Sequence, residues 1–312
     1  MIGVPRRIKK LTGRYSQIDS IPFKLHVVCA ESPVIMAAFT VDAKRAKELM
    51  PYEVHPLTLW NGRAVLLVAV INYLDTNIGK YIEYSIGVAC TRGLKEAPKL
   101  LPGLLQKTFG TGQYVLDLPV STDVSVKGGK GIWGMPKHKA SLNFLEEGKK
   151  LSSQYDLDDK LVTYLEIEKP TGMGLPFNMN AANYCSFRGM LMKSYINMKG
   201  KAHFCLGKNA KAKFVIGEHE RSGPLRYLDI DENALFTAYI PNVVGTLDDH
   251  IESWFLSDSE EIAYQPEGME SVMDLTRSEE WPPAPTAEIS SWDDVPAEIK
   301  EEIACQEADK TV

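Results

Sequence analysis

Short runs of β-branched and aromatic residues, each bounded by turn residues, recur along most of this chain and limit its possible folds more than any other feature. Val34 to Val41, Ala64 to Tyr73, Tyr81 to Cys90, Gln113 to Leu118, Ala140 to Leu145, Leu161 to Ile167, Lys211 to Ile216 and Leu235 to Ile240 all read as strands. Helical signals are fewer. Asp42 is placed to cap Ala43 to Met50, with Pro51 as the stop. Ala97 to Phe109 has helical content but carries Pro98 and Pro102, which predicts a broken helix. Thr246 is predicted to cap a helix through Phe255, with Asp248 and Asp249 in its first turn. Many strands without strand–helix alternation argue against a doubly wound parallel sheet. The expected fold is mainly β (α+β): a large, mostly antiparallel sheet closed or half-closed into a barrel, with a few peripheral helices. Such barrels have a mouth suited to small ligands, although a fold does not by itself give a function.

The chain has 312 residues, 44% of them hydrophobic, enough to bury a substantial core. Its net charge of −6 conceals an asymmetry. Residues 258–312 hold 16 acids and 3 bases, whereas residues 1–257 hold 32 bases and 25 acids. The expected division is therefore a barrel domain over 1–257 and an acidic, Pro-containing C-terminal extension over 258–312. Trp281-Pro282-Pro283-Ala284-Pro285 reads as an extended linker, followed by a short helix through Glu298 to Cys305. Two roles are open to the extension: a solvated appendage, or a segment that meets the basic body or a sister subunit. The body's positive charge is modest and forms no stripe, so nucleic acid is not an expected partner.

Five cysteines without CxxC spacing read as reduced thiols of a cytoplasmic protein. The opening Met1-Ile2-Gly3-Val4-Pro5-Arg6-Arg7 leads into polar sequence without the apolar stretch of a signal peptide. The apolar run Ala64 to Ile71 is too short to span a bilayer, so no membrane is expected.

Gly129-Lys130-Gly131-Ile132-Trp133-Gly134 is a literal GxGxxG. A dinucleotide site needs a strand before it and a helix opening at its end, but here Pro136 and an alternating Ala140 to Phe144 follow. A Gly-rich turn allowing close backbone packing is the better account. The six histidines show neither HxH nor HxxxH spacing. Asp248-Asp249-His250 reads as a helix-capping pair beside a surface histidine, and neither a metal nor another cofactor is called for.

What remains is Lys127 to Lys139, with four lysines and His138 between two predicted strands. A lysine amine of ordinary pKa, ~10.4, is protonated at neutral pH and cannot attack a carbonyl. Desolvation and like charge lower it. Trp133, Met135 and Pro136 would supply the apolar surroundings of Lys137, and Lys139 with a protonated His138 the charge. In strand geometry Lys137 and Lys139 share a face and His138 takes the other; in a turn His138 would lie beside Lys137. A solvated basic loop is the plainer alternative. Glu83 is the lone acid within its predicted hairpin strands, either a proton shuttle or an exposed partner of Lys80. His138, Trp133, Met135, Tyr81 and Arg63 are further candidates for shaping a substrate pocket, with Tyr84 beside them.

Gly129 to Lys137 resembles the G-[RK]-x-x-[WY]-G-x-P-K signature of the acetoacetate decarboxylase family. Tyr81-Ile82-Glu83, Asn183-Tyr184 and Ser222-Gly223-Pro224-Leu225-Arg226 are similar to further family blocks in the same order. The resemblance runs from about Pro22 to about Phe255. It implies a barrel or cone fold, a Schiff-base role for Lys137, a pocket role for Glu83, a small carbonyl substrate and a homo-oligomer. The resemblance also implies a cationic neighbour that activates the lysine.

Three departures stand out. His138 takes the place of a second lysine, Ser32 or a neighbour that of an arginine, and Leu66-Leu67-Val68-Ala69-Val70 lacks a second pocket acid. They point away from acetoacetate and toward the branch that runs aldol condensation and dehydration through the same lysine. Other readings are an enzyme of this fold acting without an imine, or a non-catalytic barrel for a small ligand.

Overall fold

The described residues fold into one large sheet, a smaller sheet packed against it, and a two-stranded sheet of Tyr15–Ile18 and Ile21–Lys24. The structure, a computed structural model, describes residues 15–19, 21–187, 189–248 and 252–256. Strands Gly112–Val120, Tyr81–Arg92, Ala64–Tyr73, Val34–Val41, Ala234–Ile240 and Met190–Leu206 lie side by side in that order. Leu175–Phe187 pairs antiparallel with Met190–Leu206 and meets Gly112–Val120 through Asn183 and Tyr184. That last pairing returns the sheet to its first strand, so the ladder closes on itself as the predicted barrel or cone. Most pairings are antiparallel, but Leu175–Phe187 and Lys137–Lys139 each run parallel to Gly112–Val120.

The smaller sheet is built on Lys150–Leu157, Lys160–Glu168 and Ala212–Ile216. Tyr155, Leu165 and Ile167 from it share one core with Phe39, Leu66 and Tyr84 of the large sheet. Strand alternation then fixes the two faces. Along Tyr81–Arg92, Tyr84 turns toward the small sheet, its ring 5.9 Å from that of Tyr155. Glu83 turns to the opposite face, where Ile71, Tyr73, Tyr81 and Val120 form a separate apolar cluster.

The helices correct the sequence reading in two places. Ala43–Glu48 forms with Asp42 as its cap, and Leu101–Leu104 and Gln106–Phe109 are two single turns of the expected broken helix. The predicted helix from Thr246 to Phe255 is instead the strands Val243–Leu247 and Glu252–Phe255, both laid on Met190–Leu206. Pairing along a long neighbouring strand overrides a plausible cap. The supposed Gly-rich turn is a helix, Asp123–Trp133. Thr122 caps it by accepting from the Ser125 amide, Asp123 occupies its first turn, and Gly134 ends it at φ +61°. The predicted close packing does occur, but on a helix: a Cβ at Gly128 would meet Phe23 at 2.7 Å and one at Gly131 would meet Ile18 at 2.7 Å.

The chain divides into compact units Met1–Thr276 and Arg277–Val312. The expected acidic extension, its linker and its helix lie outside the described residues, as do Asp249 and His250. No helix among the described residues is long and apolar enough to cross a membrane.

Candidate active site

Helix Asp123–Trp133 brings the chain to Pro136, after which Lys137–Lys139 joins the edge of the large sheet. Lys137 pairs with Leu118 and directs its side chain to the Glu83 face. Its aliphatic stem crosses the helix at Gly129, where a Cβ would lie 2.1 Å from Cδ, so glycine is required for the approach. Nζ then lies 2.7 Å from Glu83 Oε2, and both side chains are only 4% exposed. Nζ also donates to Ser125 Oγ at 3.2 Å and stands 5.5 Å from the centre of the Tyr81 ring. Tyr81 stacks on Tyr73 with centroids 4.4 Å apart.

The Lys137–Glu83 contact is close but not aligned as a hydrogen bond. Glu83 Oε2 and the Tyr81 hydroxyl are buried without a well-formed hydrogen bond among the described residues.

Burial, followed by the nearby Glu83 carboxylate, holds the Tyr73 and Tyr81 phenols well above the ordinary tyrosine range. Burial foremost, with a smaller contribution from Glu83, pushes the Cys29 thiol up to about 11 from 9.0. The protonated thiol is thus favoured in the fold, while the unfolded chain ionises first as pH rises. Stability is therefore expected to fall between pH 9 and 11, with Cys29 contributing about 2–3 kcal/mol of the loss. Urea midpoints across that window check this, and Cys29→Ala should flatten the slope.

His138 alternates to the other face and enters a second buried network. Arg221 donates through Nε and Nη2 to Asp117, at 3.1 Å for Nη2–Oδ1, and Nη2 also reaches His138 Nδ1 at 3.0 Å. Arginine cannot accept, so in that bond Nδ1 is the acceptor. Nε2 donates to the Tyr155 hydroxyl at 2.8 Å, which donates to Asp117 Oδ2 at 3.1 Å.

The sequence candidates therefore separate. Lys137, Glu83 and Tyr81 come together. His138 lies behind the strand and is not the cationic neighbour of Lys137, and Lys139 is exposed and paired with Asp123 at 2.7 Å. Trp133 and Met135 belong to another apolar cluster, with Leu118 and Cys185, and Trp133 Nε1 donates to the Asp248 carbonyl. They anchor the end of the helix. Arg63 stands eight residues from Ile71, the partner of Glu83, roughly 26 Å along the strand. Its guanidinium binds Thr40 and Asp229. Ser125, Tyr73, Asp117, Tyr155 and Arg221 were not legible as site residues. The Thr122–Asp123 cap signal could have revealed the helix and hence Ser125.

An open surface groove of about 770 Å³ runs beside Lys139, Ser141, Asp156 and Asp159, but Lys137 and Glu83 do not line it.

A profile of the acetoacetate decarboxylase family matches residues 13–169. No curated protein sequence matches the chain. Among solved structures, acetoacetate decarboxylase from Legionella pneumophila aligns with TM-score 0.56 at 12% identity, covering 81% of this chain and 98% of that one. Another acetoacetate decarboxylase aligns with TM-score 0.52 at 11% identity, over 76% and 91% of the two chains. The enduracididine biosynthesis enzyme MppR, complexed with the condensation product of pyruvate and imidazole 4-carboxaldehyde, aligns with TM-score 0.52 at 13% identity, over 75% and 89%. At such identities the structures speak for the fold, and the profile speaks for descent. With half its length inside that profile and its strands paired in the same fold, the chain belongs to the acetoacetate decarboxylase family.

Proposed function

We propose that this protein is a Schiff-base lyase that acts on a carbonyl compound through Lys137, with Glu83 as the proton carrier. Family membership supports a lyase-type enzyme, and the observation that carries the finer reading is the buried Lys137–Glu83 pair at 2.7 Å. In the proposed cycle Glu83 takes a proton from Nζ across the 2.7 Å contact, leaving an amine and a carboxylic acid side by side. The amine lone pair attacks the substrate carbonyl carbon. The carbinolamine oxygen takes a proton and leaves as water, giving an iminium. Its nitrogen accepts the electron pair released when a Cα–H or a C–C bond breaks. The Glu83 carboxylate, freed of its proton, removes or returns the proton at that carbon. Tyr81 and Tyr73 wall the site and, held as neutral phenols, add no negative charge beside the iminium.

The complex of MppR with a condensation product supports keeping bond formation beside bond cleavage in this reading. Both outcomes share the iminium and differ in which bond supplies the electron pair.

Glu83→Gln separates the two roles. Removing the carboxylate withdraws the counter-ion of the ammonium, so trapping of a carbonyl on Lys137 should persist. Exchange of the substrate's α-hydrogens for deuterium, followed by NMR with acetone or pyruvate, should slow by about 10²–10⁴-fold. Unchanged exchange in this variant would remove Glu83 from the mechanism.

A further inference from the structure

We infer that the substrate carries an extended apolar substituent, which lies along the ribbon formed by Leu175–Phe187 and Met190–Leu206. This rests on the Lys137 site being the reaction centre. In the ribbon, paired residues share a face. Leu175 pairs with Ala202, Phe177 with Gly200, Met179 with Met198 and Ala181 with Ile196, so one face is wholly apolar. The intervening pairs, Pro176 with Lys201, Asn178 with Lys199 and Asn180 with Asn197, make the other face polar.

The apolar face leads into the reaction centre. Ala202, Phe177 and Met198 belong to the same apolar cluster as Tyr81, whose ring centre is 5.5 Å from Lys137 Nζ, and Val120, which pairs with Glu83. The Phe177 ring lies over Gly200, where a Cβ would meet it at 3.2 Å. Elsewhere the face opens: Leu175 is 56% exposed and Met179 41%. An apolar strip that packs at Phe177, Met198 and Ala202 against the cluster holding Tyr81, and lies open at Leu175 and Met179 on either side of Phe177, is shaped for a chain whose carbonyl end is held at Lys137.

Charge agrees. Each arginine among the described residues is engaged elsewhere: Arg45 with Tyr227, Arg63 with Asp229, Arg92 with Glu53, Arg221 with Asp117 and Arg226 with the Gly217 carbonyl. The recognition chemistry is thus that of an alkyl or alkenyl ketone or aldehyde, with apolar area in place of a carboxylate clamp. Burial of each methylene should tighten binding roughly three- to fourfold until the strip is filled.

The test uses the full chain and two ligand series. Methyl ketones from acetone to 2-dodecanone are trapped on the wild type with cyanoborohydride. The matching secondary alcohols, which cannot form an imine, are measured by calorimetry. The expected result is affinity that climbs with chain length in both series and flattens in Leu175→Asn and Met179→Asn. Chain-length-dependent alcohol binding without any ketone adduct would support the strip while removing the imine reading. Adducts and affinities independent of chain length would overturn the strip. So would variants that change the sedimenting mass while keeping the full chain-length dependence, because the face would then be an interface between copies of this chain.

Discussion

Gly129→Ala is expected to slow carbonyl trapping on Lys137 by about 10²-fold or more while leaving a folded protein. The added Cβ would sit 2.1 Å from Cδ and 2.8 Å from both Cγ and Cε of Lys137. A surface lysine would swing aside, but this one is 3% exposed and walled by neighbours. The stem must shift by an ångström or more, which carries Nζ away from Glu83 and Ser125. Alanine also improves helix propensity by about 1 kcal/mol, so the expected loss is of reactivity more than of stability. Gly172→Ala, with open space around its Cβ, serves as the neutral comparison. Mass spectrometry after borohydride treatment, together with circular dichroism, reads both quantities.

The largest expected effect on stability comes from the network behind the reactive strand. Arg221→Met removes the cation that faces Asp117 and leaves a buried carboxylate with hydrogen bonds from Tyr155 and Leu118 but no counter-charge from Arg221, at a cost of about 3–5 kcal/mol. The melting temperature should fall on the order of 10 °C. Asp117→Leu combined with Arg221→Met should recover much of that loss, because the buried charges are then gone together. The same variants should misplace Lys137, whose strand pairs with Leu118 beside Asp117 and whose neighbour His138 accepts from Arg221. Equal stability of Arg221→Met and wild type would mean the network contributes nothing to the fold.

How far the sequence could be read follows from which contacts are local. Seven of the eight strands read from the sequence form, because alternation and turn residues act over a few positions; Ala140 to Leu145 breaks into Ser141–Leu142 and Leu145–Glu147, and Lys150–Leu157, Leu175–Phe187 and Met190–Leu206 went unread. Lys137 stood out because its motif is contiguous. Helix Asp123–Trp133 was missed because Gly128, Gly129 and Gly131 lower helix propensity, and the reason for them lies in Phe23, Lys137 and Ile18. The short Val243–Leu247 and Glu252–Phe255 strands were read as a helix because their pairing partner, Met190–Leu206, is more than forty residues earlier. Arg221 reaches Asp117 across 104 positions, a separation no spacing rule covers. Arg63 had the right chemistry for a pocket, but strand register placed it at the far end of the sheet from Glu83. His138 illustrates the finer limit: the sequence left open strand or turn after Pro136, and that one choice decides which face it enters.

The central claim is that Lys137 is the residue that bonds to substrate carbon. Incubating the full chain with a methyl ketone or a small oxo acid, reducing with borohydride and mapping the peptides tests it most directly. The account predicts one reduced adduct, on the peptide containing Lys137, absent in Lys137→Met and depleted in Gly129→Ala. Adduct on other lysines alone, or none at all from folded protein with any ketone of the series, would contradict it.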